Sequence, residues 1–437
     1  MSRPTILCIT TYEKGQAFLR EVANLGCDIH LLTVHKLRDA DWPRDILTGF
    51  HTLPENPADL TPEQTLPFIA NLMRHIPIAR IVPLDEFDLE TAALAREHLR
   101  LPGLGQTATR FFRDKLAMRE AAARAGVPVP AFSSVANHDA LYEFLQSTQG
   151  PWLLKPRWSA SAIGIHKFQT VEEVWPLLDR LGDAATNHLV ERFLPGDIFH
   201  VEGITFNGRI LFAAPHKYGQ PPFETMHTGG IFSTRGIDRS SAEAADLLAI
   251  HAATLQALGM TAGVTHSEFI RAHADGRFYF LETAARVGGA YIADVVEHAA
   301  GINPWIEWAR IEVALARSEA TLTPSEATLT PSEPALAGRP AASESSAAGS
   351  EFKAEYTLPP IRPDYAGSLI SLARQEWPDT SAYTDPEIVH RLHKLHHAGL
   401  ILRSPDPTRI ESLLRDYTTR FLTDFYARLD APPKPTA

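Results

Sequence analysis

The first hundred residues alternate short apolar runs with amphipathic segments. The apolar runs TILCIT (5–10), DIHLLTV (28–34) and ARIVPLD (79–85) are typical of buried strands. Between the first two, KGQAFLREVANLG (14–26) has the apolar spacing of a helix that ends at a glycine. Because parallel strands need crossover connections, strands that alternate with helices favour a parallel sheet. We therefore predict an α/β unit at the N-terminus.

The middle of the chain has a different pattern. A helix is predicted from residue 111 to Gly126, and a proline-rich turn follows it. Short β runs dominate from 150 to 230, and FNGR (206–209) is an Asn-Gly hairpin turn between two of them. A further helix is predicted over 241–258. The region before that helix is therefore predicted to be mainly β.

The tract 318–350 interrupts the globular pattern. SEATLTP occurs there twice in succession, and the mixture that follows has almost no large apolar side chains. Such a tract cannot bury enough surface to offset its ordering entropy, so we predict a disordered linker over 313–352. The segment 353–437 returns to a globular composition, with helices predicted in PEIVHRLHKLHHAGLIL (386–402) and RIESLLRDYTTRFLTDFYARL (409–429).

Composition excludes several classes of protein. The chain has 437 residues, 44% of them hydrophobic and 21% charged, which is too long for one core and typical of soluble globular proteins. A net charge of −11 argues against a general binder of nucleic acid or anionic membranes. Cys8 and Cys27 are expected to be buried thiols and not a disulfide framework. With no apolar run of signal-peptide or membrane-spanning length, we predict a cytoplasmic protein.

Two carboxylates are predicted to face each other on one hairpin. Alternation places His266 and Glu268 on one face of THSEFIRA, and places Phe278, Phe280 and Glu282 on one face of RFYFLET. If the HADG turn between these runs forms a three-residue loop, opposed residues have numbers that sum to 550. On that register Glu268 faces Glu282, with the two Cβ atoms within about 5 Å.

Facing carboxylates need a cation between them. Like charges directly opposite on a sheet are destabilising, and Mg²⁺ prefers hard oxygen ligands of this kind. The pair Glu268 and Glu282 therefore points to a magnesium site. A solvated hairpin face, with Glu282 paired to Arg286, explains the spacing equally well.

A second stretch has the chemistry of a phosphate site. Lys155 ends the apolar run WLLKP, and the small residues of SASAIG (159–164) follow. Small residues let backbone N–H groups approach an anion closely. The Walker A order of glycine, lysine and serine is absent, so a plain surface hairpin is the simpler explanation of this stretch taken alone.

Taken in order, five segments resemble the ATP-grasp superfamily. They are RDKLAMREAAARAGVPVP, WLLKPRWSASAIGI, LVERFLPGD, HSEFI and FLETAARVGG, and the resemblance extends from about residue 4 to residue 312. It implies an α/β and α+β protein with the ATP-grasp fold, in which two subdomains hold ATP between their sheets. The implied domains are an N-terminal α/β pre-ATP-grasp domain (1–105), an ATP-grasp domain (106–312, with subdomains of about 106–188 and 189–312), the linker (313–352) and a small C-terminal α/β segment (353–437).

The resemblance also implies roles for individual residues. The implied ATP contacts are Lys115, Lys155, Ser159, Ser161, Gly164, Glu191, Leu194 and Asp197. Glu191 and Leu194 would read the adenine edge through their backbones, so that the Glu191 side chain matters little. Glu268 and Glu282 match the acids that bind magnesium or manganese. Arg286 matches the catalytic arginine near the transferred phosphate, and Gly288-Gly289 match the tight turn beside it.

The chain departs from the superfamily at two positions. Where many members have an asparagine that completes a metal's ligand shell, this chain has Ala284. Where many have an acid for the ribose, it has Ile198, with Asp197 or Glu202 as alternatives for that contact. These changes are compatible with a subfamily or with weaker metal binding.

The Gly-rich stretch 223–236 is a candidate substrate flap. His227 and Arg235 lie in it, and an arginine fork matches a carboxylate well. An ordinary surface loop explains the stretch equally. His200 and His266, near the predicted cleft, are further candidates for a substrate contact or a base, whereas HKLHH (393–397) lacks a zinc pattern.

We therefore expect an ATP- and Mg-dependent ligase that activates a small carboxylate as an acyl phosphate and joins it to an amine, often that of an amino acid. The alternatives are another ATP-grasp reaction (carboxylation, thioester formation or phosphoryl transfer) and a nucleotide-binding protein without catalysis. Neither a nucleic acid nor a membrane is expected as a partner.

Overall fold

A computed structural model describes residues 3–54, 61–159, 163–221, 230–319 and 355–428. The chain divides into two compact units. The first comprises residues 1–109 and 305–358, and the second comprises residues 110–304 and 359–437. Among the described residues, no helix is both long and apolar enough to cross a membrane.

Sixteen strands lie in the described part of the chain. They are β1 (Thr5–Thr10), β2 (Asp28–Thr33), β3 (Gly49–Thr52), β4 (Ile78–Pro83), β5 (Phe132–Ser134), β6 (Trp152–Pro156), β7 (His166–Phe168), β8 (His188–Arg192), β9 (Gly196–Phe206), β10 (Arg209–Tyr218), β11 (Phe232–Gly236), β12 (Gly263–Ala272), β13 (Phe278–Ala284), β14 (Tyr365–Leu372), β15 (Ile388–Arg391) and β16 (His397–Ser404). The α-helices are Gln16–Asn24, Pro62–Met73, Leu89–Leu99, Gln106–Arg110, Lys115–Arg124, His138–Ser147, Val174–Leu181, Ala242–Leu258, Ile292–Ala300, Pro304–Glu319 and Pro407–Asp424.

The first unit contains the predicted parallel sheet. Its strand order is β3-β2-β1-β4, and every residue of β1 is buried. Cys8 and Cys27 are free and buried, as expected. The helix Pro304–Glu319 extends through the first seven residues of the predicted linker, and Glu319 forms an ion pair with Arg80 at 2.6 Å. The rest of that linker lies outside the described residues.

Two antiparallel sheets form the second unit. The smaller has the order β5-β8-β6-β7, and the larger has eight strands in the order β13-β12-β9-β10-β11-β14-β16-β15. The C-terminal segment supplies the last three strands of the larger sheet. Its helix Pro407–Asp424 covers them with Ile410, Leu414 and Phe421, all buried.

The helix predicted over 386–402 is wrong. The structure has a hairpin there, formed by β15 and β16, and β16 pairs with β14 along its whole length. Leu400, Ile401 and Leu402 are all buried, so this apolar run is a strand that is covered on both faces. A Cβ on Gly399 would lie 2.5 Å from the Leu392 side chain, which explains a glycine in the middle of the hairpin.

The register of the β12–β13 hairpin agrees with the prediction for a reason that the sequence did not reveal. Glu268 does face Glu282. Ala272 N donates the hydrogen bond that closes the hairpin to the Arg277 carbonyl at 3.0 Å, so the loop has four residues and not three. A β-bulge at Leu281 restores the register, because it adds one residue to β13. The two deviations cancel.

The bulge also changes the face on which Glu282 lies. Phe280 pairs with Phe269 on the face that the helix Ala242–Leu258 covers, whereas Glu282 pairs with Glu268 on the opposite face. The prediction that Phe280 and Glu282 share a face is therefore wrong. A strand that looks like core can end in a carboxylate because the bulge turns that carboxylate out of the core.

Behind the larger sheet, His251 is fully buried, and neither of its ring nitrogens has a hydrogen-bond partner among the described residues. Burial lowers its pKa to about 4, with Glu202 opposing the shift. Since the unfolded chain binds a proton near the ordinary pKa of 6.5, unfolding is favoured as the pH falls from about 6.5 to about 4. The shift corresponds to about 3 kcal/mol.

We expect His251→Leu to remove that part of the acid sensitivity. Urea unfolding of both proteins at pH 7 and pH 4 measures it, and the wild type should lose about 3 kcal/mol more than the variant. The exposed His138, changed to glutamine, is the control and should behave as the wild type. Equal acid sensitivity of wild type and His251→Leu would contradict the account.

Candidate active site

A cavity of about 520 Å³ lies between the two sheets of the second unit. The smaller sheet contributes β6 and β8, and the larger contributes β9, β12 and β13. The residues predicted from the sequence that line this cavity are Lys115, Lys155, Ser159, Glu191, Leu194, Glu268 and Glu282. The fold therefore brings together residues that are up to 167 positions apart in the chain, Lys115 and Glu282 being the outermost.

Lys115 is held at the first turn of its helix. Asp114 caps the helix by accepting a hydrogen bond from Leu116 N at 3.0 Å. Arg157 Nε donates to the same carboxylate at 2.9 Å, and its carbonyl accepts from Lys115 N at 3.0 Å. From this position the Lys115 ammonium donates to the Ser159 carbonyl and lies 2.6 Å from Glu282 Oε2. The positive charge of Lys115 is thus held between the Ser159 carbonyl and the Glu282 carboxylate.

Glu191 is the buried anchor of the other lysine. One of its oxygens lies 2.5 Å from Lys155 Nζ and the other 2.7 Å from Arg119, and the residue is 1% exposed. Burial disfavours its charge, but the two cations outweigh burial and lower the pKa of the Glu191 carboxyl. The expectation that this side chain matters little is therefore wrong: it positions Lys155 at the wall of the cavity.

The facing carboxylates fit a divalent cation. Glu268 and Glu282 are a direct cross-strand pair, and both line the cavity. The Lys115 ammonium lies 2.6 Å from Glu282 Oε2, so one member of the pair already binds a positive charge in this structure. Both carboxylates supply the hard oxygen ligands that Mg²⁺ takes. The donor set therefore fits magnesium.

Behind Glu268 lies a buried cluster of histidines around Glu202. Glu202 Oε1 lies 2.8 Å from His200 Nδ1 and 2.6 Å from His266 Nδ1. Burial opposes the charge on His266, but the Glu202 carboxylate outweighs burial and raises the pKa of His266 to about 10. The ligand atoms of these three residues lie within 4.8 Å of one another, yet hydrogen bonds among them account for the arrangement without an ion. His200 and His266 are thus structural neighbours of the cavity and not its lining.

The predicted turn residues lie beside the cavity. Gly164 has φ +75°, and a Cβ there would lie 2.9 Å from the Pro156 ring, so position 164 needs glycine. A Cβ on Gly288 would lie 2.9 Å from Glu202 Oε2, which leaves no room for a side chain. Gly289 accepts a hydrogen bond from Ile292 N at 3.0 Å and leads into the next helix. Arg286 is half-buried, donates to the Val287 carbonyl, and is not among the residues that line the cavity.

Two predicted residues lie on the other face of the larger sheet. Asp197 and Ile198 are adjacent on β9, so their side chains lie on opposite faces of the sheet. Ile198 lines the cavity, whereas Asp197 pairs with Lys217 at 2.7 Å on the opposite face. Arg235 pairs with Glu411 at 3.1 Å on that same face. The structure therefore does not bring Asp197 and Arg235 to the cavity. Ser161 and His227 lie outside the described residues.

The placement of Asp197 gives a direct prediction. Because an exposed ion pair contributes at most about 1 kcal/mol, Asp197→Asn should change the dissociation constant for ATP by less than about fivefold. Titration calorimetry with ATP measures this. Lys155→Met, which removes a proposed phosphate contact, is the positive control and should weaken ATP binding. If Asp197→Asn lost more affinity for ATP than Lys155→Met, the ribose contact would lie at Asp197 after all.

Several residues that line the cavity were not predicted. Arg119 anchors Glu191, and Lys167 lies over the Phe193 ring at 3.6 Å from its centroid. His273, in the hairpin loop, is also part of the lining. Arg119 follows Lys115 by one helical turn, and that spacing is the signal from which it could have been found. Lys167 and His273 carry no comparable signal in the sequence.

Comparisons with known proteins give several sequence relatives and a set of structural neighbours. No protein-family model matches the chain. An L-arginine-specific L-amino acid ligase of Bacillus subtilis is 25% identical over 261 residues, which is 58% of this chain and 62% of that protein. The aligned region thus spans less than two thirds of that relative.

Two solved structures illustrate the likeness in fold. An L-amino acid ligase from Bacillus licheniformis aligns over 98% of this chain and all of that one, with a TM-score of 0.67 and 17% identity. The biotin carboxylase domain of the Hydrogenobacter thermophilus 2-oxoglutarate carboxylase, in complex with MgADP and bicarbonate, aligns over 95% of this chain and 89% of that one. Its TM-score is 0.65 and its identity 15%.

Proposed function

We propose that this chain, which has the ATP-grasp fold, is an ATP-dependent ligase that joins a small carboxylate to an amine. The fold and the resemblance expected from the sequence are confirmed by the structural neighbours. The observation that supports the activity is the meeting of Lys115, Lys155, Glu268 and Glu282 around one cavity of about 520 Å³. Its size suits a nucleotide, since small-molecule sites measure about 300–1,000 Å³.

The nucleotide is proposed to lie with its base near Leu194 and its phosphates near the two lysines. Leu194 follows the end of β8 and lines the cavity beside apolar side chains such as Ile198 and Ile270. These apolar walls suit a base, whereas the ammonium groups of Lys115 and Lys155 suit phosphate oxygens. Lys115 would exchange its contact with Glu282 for one with phosphate when the nucleotide binds.

Glu268 and Glu282 would hold the magnesium ion of the nucleotide. When bound, that ion offsets phosphate charge and orients the transferred group. The register supports this, because the two residues lie opposite each other on adjacent strands and both line the cavity.

In the first proposed step, a substrate carboxylate oxygen attacks the γ-phosphorus of ATP. The bond from that phosphorus to the bridging oxygen breaks, and ADP leaves, so that an acyl phosphate remains. Lys115, Lys155 and Arg286 would stabilise the charge that shifts during this transfer. In the second step, an amine nitrogen attacks the acyl carbon, loses a proton and displaces phosphate. No covalent bond to the protein is needed.

The substrate class is proposed from the relative. Since that protein is an L-amino acid ligase, we propose that both the carboxylate and the amine come from amino acids or similar molecules. The choice between amino acids would depend on residues beyond the nucleotide cavity.

Trapping with hydroxylamine tests the proposal. Purified protein is incubated with Mg-ATP, hydroxylamine and a pool of L-amino acids, and ADP, hydroxamate and dipeptide are measured. We expect hydroxamate, with ADP equal to the sum of hydroxamate and dipeptide, and none of these products with Glu282→Ala. ADP without either hydroxamate or dipeptide would contradict acyl-phosphate formation and favour phosphoryl transfer. ATP binding without turnover for any amino acid would contradict the ligase assignment.

A further inference from the structure

Glu268 receives two contacts from the protein behind it. Tyr218 donates a hydrogen bond to Glu268 Oε1 at 2.9 Å, and His266 Nε2 lies 3.5 Å from that same oxygen. Within the described part of the chain, both contacts go to Oε1. The second oxygen, Oε2, is therefore the one left to meet a cation in the cavity.

The two contacting side chains are themselves fixed. Tyr218 is 6% exposed, and its ring lies 4.6 Å from the ring of His200, centroid to centroid. His266 is held from behind by Glu202 at 2.6 Å, and Glu202 is held in turn by His200. His200 Nε2 lies 2.6 Å from Thr234 Oγ1. These contacts thus connect residues of four strands, β9, β10, β11 and β12, to one carboxylate oxygen.

The backbone leaves space for the side chains of His266 and Glu202. Ala284 is the cross-strand neighbour of His266, and it adds only a methyl group next to the imidazole. Gly288 passes so close to the Glu202–His266 pair that a Cβ would lie within 3.1 Å of both residues. Position 284 is the one at which the sequence lacks the expected asparagine ligand.

We propose that Tyr218 and the Glu202–His266 pair are positioning residues that hold Glu268 in the orientation that binds the nucleotide's metal ion. The inference rests on the proposed function, because it takes Glu268 to be a metal ligand. Partners behind metal ligands orient them and set their basicity, and their loss typically lowers metal affinity by about 10–100-fold. None of these three residues is among those that line the cavity, so they would act through Glu268.

The test measures binding of Mn²⁺ by electron paramagnetic resonance, with ADP present and the full chain throughout. Tyr218→Phe keeps the buried ring and removes the hydroxyl, and Glu202→Gln keeps the shape and removes the charge. We expect the Mn²⁺ dissociation constant to rise by about tenfold in the first variant and by about 10–100-fold in the second. Tyr279→Phe, on the neighbouring strand β13, is the control, because its hydroxyl contacts Asp275 and not Glu268.

A second readout separates positioning from a general structural role. ADP binding without metal, measured by calorimetry, should stay within about twofold of the wild type in Tyr218→Phe, because the base and lysine contacts are unchanged. A parallel loss of metal-free ADP binding would mean that the cavity itself is damaged, and would overturn the proposal.

Two further outcomes are distinguishable. If the wild type binds Mn²⁺ with ADP and both variants bind it within twofold of the wild type, the positioning role is wrong and the proposed function stands. If the wild type binds ADP but no Mn²⁺, the metal role of Glu268 fails, and the positioning proposal fails with it.

Discussion

Replacing Glu191 by alanine is expected to destabilise the second unit by about 3–5 kcal/mol. Removing one member of a buried ionic cluster leaves the others buried without their counter-charge, and losses of this size result. In this protein the groups left behind are Arg119 and Lys155, which are 1% and 9% exposed. The strand β8 that carries Glu191 lies between β5 and β6, so the damage is central to the smaller sheet.

Urea unfolding followed by tryptophan fluorescence measures this loss. Glu243→Ala is the matched control, because Glu243 also pairs with an arginine but both partners are partly exposed, at 27% and 42%. Exposed pairs of this kind contribute about 0–1 kcal/mol. If Glu191→Ala cost no more than Glu243→Ala, the anchoring role of Glu191 would be wrong.

Replacing Glu282 by glutamine is expected to lower kcat/KM by roughly 10²–10³-fold without loss of stability. The carboxylate would serve twice, as a metal ligand and as the resting partner of Lys115, and removal of one group that stabilises transferred charge has effects of this order. The fold should be little affected, because Glu282 is 31% exposed, a glutamine oxygen can still accept from Lys115, and the change relieves repulsion with Glu268.

Steady-state release of ADP and thermal unfolding together measure this effect. Glu120→Gln is the matched control, since Glu120 is exposed on the same helix as Lys115 and is not among the residues that line the cavity. Activity of Glu282→Gln within a few-fold of the control would contradict a metal role for this residue.

Alternation and spacing predicted the strands that carry the site, but not the irregularities that orient it. Glu268 and Glu282 were paired correctly although the loop has one residue more than expected, because the bulge at Leu281 compensates for it. A bulge depends on how a strand fits its partners and leaves no mark in the alternation of a single strand. The face on which Glu282 lies therefore had to come from the structure.

The lysines and acids that the resemblance named do line one cavity, but the resemblance could not supply their side-chain partners. It gave Glu191 a backbone role, whereas its buried side chain contacts Arg119 and Lys155. Such partners lie 36 and 72 positions away in the chain, so no local pattern connects them. The helix predicted over 386–402 failed for a related reason: its apolar residues have helical spacing, and only the edge of β14 makes the hairpin the better solution.

The position of Asp197, in contrast, could have been predicted from the sequence. Its carboxylate was considered for the ribose because it adjoins Ile198, yet adjacent residues of a strand point to opposite faces. Alternation alone therefore argued against that contact, and the ion pair with Lys217 agrees with it.

The most direct test of the proposed ligase follows oxygen from substrate to product. An amino acid labelled with ¹⁸O in its carboxylate is incubated with the protein, Mg-ATP and an acceptor amine, and the released phosphate is examined by mass spectrometry. We predict one ¹⁸O atom in each phosphate, because the attacking carboxylate oxygen leaves with the phosphoryl group. Amide formation with unlabelled phosphate would contradict an acyl phosphate and, with it, the reaction proposed for this site.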